Sequence, residues 1–492
     1  MRTPTEIVEL YMFNIWNDGN LELIREICAD PMIRHDIGTV SALSHDDQIK
    51  RISHQVGRKP YFWNEILFAD DKYVCSVWSM NLRTGETKTL SSIEVFQIED
   101  GRITHVWNAA YGPGLWGREG DPMVPRDLPP PHVLASLGQI DRDWVQKVLK
   151  NGGVDSLRVG DGGKVEAIGH GTLSETARVN FVYNGDPGEL PTSFICKFHG
   201  ASAAVTDANK RLGIYKREVE SYRFLSRESG LPIPKVYFAA TAADDSLSNI
   251  VLEDLSRHAK PGDQIKGCSV EEADAVVEAL GRLHARFVGV NMPSWALDRA
   301  GRAEGLAASY RTGASLAREW LGAAISEAEY ETIDRFGDVY VEWARLQPDI
   351  ISIQHGDPRV DNILFEGKSE GMKAWLVDWQ LTSFGAPQYD LAYFLTGSLP
   401  TDERRKHEKR WIAQHAASLA RVVPAYDVTA AENAFRLQSV AALAFSVVSS
   451  RTVERTAHNA ALVETQLHRN CAAVMDWDGL DAIRAASTAL KN

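Results

Sequence analysis

Within QHGDPRVDNILF, residues 354–365, Asp357 stands five residues before Asn362, and the chain then runs into the apolar Ile363, Leu364 and Phe365. A carboxylate can take a proton from a hydroxyl, and an amide oxygen suits a hard divalent cation. One tight loop therefore offers a base and a metal ligand side by side. The same residues also make an ordinary surface turn. Asp378 bears on that choice, because it ends the apolar run AWLVDWQ (374–380), 21 residues after Asp357. A hairpin of this length returns Asp378 beside Asn362, where one divalent ion could take an oxygen from each. Without a cationic partner, a carboxylate next to Trp379 would be costly to bury.

Phosphoryl transfer from ATP needs a set of this kind. A glycine-containing turn covers the phosphates, a strand lysine neutralises them, and an acid on a helix holds that lysine. A carboxylate meets the acceptor hydroxyl, while an amide and a second carboxylate hold magnesium. Candidates for the first three parts lie upstream in that order. Gly169-His170-Gly171-Thr172-Leu173-Ser174 falls between two predicted strands, Lys197 sits mid-strand in TSFICKFHG, and Glu218 lies in the helical KREVESYRFL, 21 residues further on. Singly, each has an ordinary reading: a hairpin turn, a lysine on a solvent-facing sheet, a solvated acid. His355 reads as a brace of its loop, Asp390 as the anchor of that loop, and His284 as a core or interlobe residue. Arg359 and Asp361 face either substrate or solvent.

The elements that must position these groups form a small sheet-rich lobe, residues 139–256, followed by a large helical lobe, residues 257–492. Ile140, Trp144, Val148 and Leu149 mark a helix that stops at Asn151-Gly152-Gly153. Phe194, Cys196 and Phe198 alternate with Ser193, Ile195 and Lys197, as in a half-buried strand. Ser269 and Glu272 have capping-box spacing ahead of an apolar helical face. Upstream, REGDPMVPRDLPPPHVLASLG (118–138) carries five prolines and predicts an extended linker. Residues 1–117 begin with helical spacing (Ile7, Leu10, Tyr11, Phe13, Asn14) and a second short helix around Leu21–Cys28. Strands follow at 72–82, 88–98 and 102–108, with Asp100-Gly101 as a hairpin turn. Helices before a curved antiparallel sheet describe an α+β cone enclosing a pocket.

With 492 residues, the chain exceeds one compact core. A net charge of −13 and the absence of a basic run argue against nucleic acid as the partner. The five cysteines are scattered without CxxC spacing, which fits reduced thiols and a cytoplasmic setting. No apolar run reaches bilayer length, so no membrane span is expected.

HGDPRVDN, LVDWQ and FGAPQYDLAYFLTGSL together resemble the aminoglycoside phosphotransferase/choline kinase-like family, nearest its ecdysteroid-kinase-like group, over roughly residues 139–490. The resemblance implies a bilobal protein-kinase-like fold that uses ATP and Mg2+ on a hydroxyl of a small molecule. By that resemblance Asp357 is the catalytic base, Asn362 and Asp378 hold magnesium, Lys197 contacts the α- and β-phosphates, and Glu218 pairs with Lys197. Gly169, Gly171 and Ser174 would lie over the phosphates, and Glu253-Asp254-Leu255 would join the lobes where backbone groups receive adenine. The turn departs from the protein-kinase loop in having two glycines around a histidine.

Tyr11-x4-Trp16-Asn17-x-Gly19-Asn20 and Glu94-Val95-Phe96-x2-Glu99-Asp100-Gly101-Arg102-Ile103 resemble the SnoaL-like branch of the NTF2-like superfamily, over residues 3–115. Such cones often hold polycyclic or lipidic ligands and pair through their sheets, which implies a bulky, fairly apolar acceptor and a homodimer. His35-Asp36 is the candidate acid–base pair there, with Trp63, Trp78, Trp107, Asn108 and Tyr111 as lining. Two other readings stay open at this point: a nucleotide- and ligand-binding regulatory protein without transfer, and a bifunctional enzyme whose first domain is an isomerase or hydratase.

Overall fold

The computed structural model of the chain describes residues 2–57, 60–82, 89–114, 116, 131–154, 158–168, 174–200, 212–367 and 371–491. It separates into two compact units, Met1–Pro130 and Pro131–Asn492.

In the first unit, helix α1 (Pro4–Glu9) opens with the capping box of Thr3 and Glu6 and continues as the π-helical turns Leu10–Asn17. The second helix read around Leu21–Cys28 is shorter. A 3-10 turn at Leu21–Leu23 and one α-turn at Ile24–Ile27 lead directly into strand β1 (Cys28–Asp36). Pro31 lies three residues on and cannot continue a helix, so the chain extends there. β2 (Thr39–Leu43), α2 (His45–Val56), β3 (Pro60–Ala69), β4 (Tyr73–Leu82), β5 (Thr89–Glu99) and β6 (Arg102–Asn108) follow. The strands lie in the order β2-β1-β6-β5-β4-β3, and α1 and the π turns bury Ile7, Tyr11 and Ile15 against Phe96 and Val106 on the inner face.

The second unit starts earlier than the expected lobe. Residues 131–138, read as linker, pack here: Leu134 is buried, its N–H donates to Asn249 Oδ1 (2.6 Å), and its carbonyl accepts from Asn249 Nδ2 (3.1 Å). Helix α3 (Arg142–Asn151) then lays Trp144 on one face of a five-stranded sheet. That sheet comprises β7 (Lys164–Ala167), β8 (Ser174–Asn180), β9 (Ser193–His199), β10 (Val236–Thr241) and β11 (Ser248–Glu253), in the order β10-β11-β9-β8-β7. Phe194, Cys196 and Phe198 of β9 face Trp144, which turns Lys197 to the opposite side, where helix α4 (Ile214–Leu225) lies.

Below the sheet, β12 (Ala259–Pro261) leads to α5 (Val270–Arg286), whose Ser269/Glu272 capping box is formed as expected. Helices α6 (Ala303–Leu321) and α7 (Glu327–Ala344) precede four short strands: β13 (Ser352–Gln354), β14 (Ile363–Glu366), β15 (Lys373–Leu376) and β16 (Ser383–Gly385). Helix α8 (Gln388–Ser398), buried along its whole length, and α9 (Thr401–Ala420) head the remaining helical mass. The two lobes are thus a small antiparallel sheet with helices α3 and α4 on its two faces and a large helical body, the α+β bilobal arrangement. Among the described residues no helix is long and apolar enough to cross a membrane.

Candidate active site

The loop after β13 hangs from one carboxylate. Asp390, in the first turn of α8, accepts the N–H of His355 on Oδ2 (2.6 Å) and that of Gly356 on Oδ1 (3.0 Å). His284 Nε2 donates to the same Oδ2 at 3.1 Å, and His284 Nδ1 lies 2.8 Å from His415 Nε2. A carboxylate can only accept, so His284 carries its proton on Nε2 and His415 donates from Nε2 to Nδ1 of His284. Burial holds His415 neutral, well below the usual histidine range. Burial pushes Asp390 up, but the His284 bond and the two loop amides outweigh it, and its carboxyl sits below the ordinary value.

Gly356 adopts φ +90°, and a β-carbon there would meet the Leu381 carbonyl oxygen at 2.2 Å. Only glycine fits. His355 Nε2 donates to the Val377 carbonyl (2.9 Å) and its Nδ1 accepts the Asp357 N–H (3.3 Å), so His355 is a brace, as read from the sequence.

Asp357 itself is 1% exposed. Tyr393 Oη donates to its Oδ1 at 2.6 Å, and Asn362 Nδ2 donates to its backbone oxygen (2.9 Å) and its Oδ2 (3.2 Å). Burial dominates over these donors and over Arg359, whose Nε lies 3.9 Å from Oδ2, and it raises the Asp357 carboxyl above its usual range. The side-chain bonds of Asn362 are both made by the amide nitrogen, which leaves its oxygen for a cation.

The hairpin expected from spacing is present. Ile363 pairs with Leu376, and the Val377 N–H donates to the Asn362 carbonyl (3.0 Å), which sets Asp378 next to Asn362. The strand ends at Leu376, two residues before the sequence reading put the carboxylate, because Asp378 turns to φ +70°. That strained conformation is held from two sides: its N–H donates to Tyr222 Oη (3.2 Å) and its Oδ1 accepts Lys197 Nζ (2.8 Å). Lys197 Nζ also donates to Glu218 Oε1 at 2.7 Å. Burial penalises all three charges. It leaves Glu218 raised, while the two acids keep Lys197 firmly protonated and Lys197 holds Asp378 below its usual value.

Helix α4 is tied to the same segment at two further points, Arg217 Nη1 to the Gln380 carbonyl (2.9 Å) and Ser221 Oγ to Thr382 Oγ1 (2.8 Å). An asparagine oxygen and a carboxylate are a fitting donor pair for Mg2+ completed by phosphates and water. Among the described residues no cluster of three or more His, Cys, Asp or Glu side chains could hold a metal alone.

The structure therefore brings Lys197, Glu218, Asp378, Asn362 and Asp357 together. Ser174 opens β8 opposite His199 of β9, whereas Gly169 and Gly171 lie outside the described residues. Glu253 ends β11 with its N–H on the Lys235 carbonyl (2.8 Å), so that amide is engaged within the protein. Leu255 is buried in the turn that follows, which Asp254 caps through the Ser256 N–H. Asp361 Oδ1 accepts the Gln264 N–H (2.8 Å) and so braces the loop. Tyr393, Tyr222, Arg217 and Arg299 were not anticipated; helical spacing from Asp390 would have placed Tyr393 one turn on, over the loop.

In the first unit, the His35-Asp36 pair does not form as expected. Successive strand residues alternate between faces, and His35 stacks on Trp107 (ring centroids 4.7 Å apart) while Arg34 points inward. Arg34 joins Asp36 (3.1 Å), Glu94 (3.5 Å) and Tyr111 (3.1 Å), with Asn108 donating to Asp36 (3.2 Å). Asp36 thus pairs with Arg34 rather than with His35, beside a second acid, Glu94, whose carboxyl burial raises.

Comparison with known proteins agrees with this division. Residues 176–431 match the family model of the phosphotransferase enzyme family, and residues 9–106 match that of the SnoaL-like domain. A curated relative, acyl-CoA dehydrogenase family member 11 of Rattus norvegicus, is 28% identical over 187 residues, 36% of this chain, and the match spans 23% of that protein's length. Among solved structures, a choline kinase from Streptococcus pneumoniae is 16% identical over 68% of this chain and 99% of its own, with a TM-score of 0.38. A Plasmodium vivax ethanolamine kinase is 12% identical over 67% and 87%, with a TM-score of 0.39. For the first unit, a putative polyketide cyclase from Acidithiobacillus ferrooxidans is 22% identical over 21% of this chain and 84% of its own, with a TM-score of 0.20. The chain belongs to the phosphotransferase enzyme family and also carries a segment that matches the SnoaL-like domain.

Proposed function

We propose that the chain transfers a phosphoryl group from ATP, with Mg2+, to a hydroxyl of a bulky and fairly apolar small molecule. The observation that carries this reading is the ion triad of Lys197 with Glu218 (2.7 Å) and Asp378 (2.8 Å), one hairpin turn from Asn362 and Asp357. ATP supplies the phosphoryl group and Mg2+ the charge that offsets its oxygens, with Asn362 and Asp378 as the metal's protein ligands. Lys197, kept protonated by its two acids, faces the α- and β-phosphates, and Glu218 fixes its direction. Asp357 orients the acceptor hydroxyl and takes its proton as the hydroxyl oxygen bonds to phosphorus and ADP leaves. Tyr393 and Asn362 hold the Asp357 carboxylate in one rotamer for that task. All five cysteines are free thiols, which supports a reducing, cytoplasmic setting.

The first unit serves in this reading as a ligand-binding and dimerising module. Its polar interior around Arg34 and Glu94 supports binding, and its exposed sheet face supports pairing of two copies. The test of the transfer itself is ATP consumption against a library of hydroxyl compounds, with Asp357→Asn as the control. Turnover is expected to fall by about 10²-fold or more while nucleotide affinity is kept. Nucleotide binding with no acceptor-dependent ADP release in the unsubstituted chain would favour the regulatory reading instead.

A further inference from the structure

A group of guanidiniums beside the catalytic loop has no part in the transfer derived above. Arg299 lies over the Tyr389 ring, its Cζ 3.7 Å from the ring centroid. A β-carbon on Gly356, the residue before Asp357, would sit 2.9 Å from Arg299 Nη2. The Nη1 of Arg299 is buried and has no hydrogen-bond partner among the described residues. Arg217, 3% exposed, gives Nη1 to the Gln380 carbonyl and Nη2 to the Leu212 carbonyl, both at 2.9 Å, and its Nε is buried without a partner. Arg302, exposed at the start of α6, is not in an ion pair among the described residues, and neither is Arg299 or Arg217.

The charges that act on Arg217 are those of Arg302 and Arg299, and burial together with these two lowers its pKa to about 10. Arg359, by contrast, already has an anion beside it, its Nε lying 3.9 Å from Asp357 Oδ2. This arrangement stands out in a chain of net charge −13. A buried cation such as Arg217, whose charged neighbours are cations, is unfavourable unless an anion joins it, and the fork geometry of arginine suits a carboxylate or phosphate.

We propose that Arg299, Arg302 and Arg217 form a subsite for an anionic group, carboxylate or phosphate, on the acceptor whose hydroxyl meets Asp357. The inference rests on the phosphotransferase reading and narrows its acceptor to an amphipathic hydroxy compound with one acidic group. An ammonium-bearing acceptor would meet repulsion at the same place.

The full chain, with ATP and Mg2+, is assayed on hydroxy acids of increasing length, on their methyl esters, and on phosphate monoesters of diols of matching length. The free acid or the phosphate monoester is expected to be preferred over the ester, and the preferred arm identifies the anion. Arg299→Gln and the exposed Arg302→Gln should each raise KM for the anionic acceptor by roughly ten- to hundredfold, with the KM for ATP in place. A second readout needs no turnover. With ADP and Mg2+ present, inorganic phosphate and 4-hydroxybutyrate are titrated by thermal shift, and Arg302→Gln should abolish the shift that either produces.

Preference for esters or amino alcohols with unaltered KM in both variants would overturn the subsite and leave phosphoryl transfer standing. A parallel rise in the KM for ATP would also overturn it, by assigning the arginines to the nucleotide. Arginine-dependent anion binding without transfer to any acceptor would keep the subsite and remove the transfer.

Discussion

Asp357 lies between opposing influences, and their balance is measurable. Burial raises its carboxyl, while Arg359 and the Tyr393 hydroxyl lower it. A base must be ionised to accept a proton, so turnover falls as pH drops through this raised value, and the acid limb of the rate profile lies above the ordinary aspartate range of about 4. Tyr393→Phe removes a 2.6 Å donor to the ionised form. Since that bond favours the charged state, its loss raises the carboxyl further, and the acid limb should move to higher pH. A profile that stays in place, or moves down, would mean that Tyr393 bonds an Asp357 already protonated over the working range. Stability responds with the opposite sign. A carboxyl raised on folding favours the folded state below its unfolded value, and that contribution is lost as pH rises through the folded one.

At the level of elements, the loop that carries Asp357 is suspended from α8 by the Asp390 carboxylate and clamped where Gly356 passes the Leu381 carbonyl. Gly356→Ala places a β-carbon 2.2 Å from that oxygen at φ +90°. Positive φ and the backbone clash together cost about 2–5 kcal/mol. The variant should lose turnover and melt earlier, read by the thermal transition of the full chain. A wild-type transition and rate would mean that the loop and the 380–382 segment part easily.

Much of this site was legible because its geometry is local. The spacing from Asn362 to Asp378 is that of a tight hairpin, and the alternation in β9 fixes which way Lys197 points. Arg299 and Arg302 were not legible, since they sit in a loop without periodicity and gain meaning only from Tyr389 and Gly356, far along the chain. In the first unit, β1 escaped notice because its inward position is occupied by the charged Arg34. An alternating pattern with an arginine inside does not read as a strand until Glu94 and Asp36 are seen around it. Asp378 leaves its strand early for a related reason, since its bonds to Lys197 and Tyr222 come from elements well over a hundred residues away.

At the scale of the molecule, the first unit leaves an apolar row uncovered. Register connects Phe68, Cys75, Val95, Trp107, His35 and Val40 across β3, β4, β5, β6, β1 and β2 on one face of the sheet. Beside this row run Ile66, Val77 and Ile93. Phe68 is 62% exposed, Val40 66% and Ile66 56%, and the rings of His35, His105 and Trp107 stack on one another on this face. Single exposed apolar residues are ordinary, but a contiguous patch crossing six strands is the kind that a second copy covers. A twofold pairing would bury the same row on both copies, with Phe68 and Trp107 as anchors. The full chain is expected to sediment as a dimer at micromolar concentration. Phe68→Glu would set a carboxylate against each partner's apolar row, twice per dimer, and should weaken association at least a hundredfold, giving monomers at the same concentration. A dimer that persists in this variant would place the contact elsewhere, and a wild-type monomer would leave the row for a ligand or a different protein to cover.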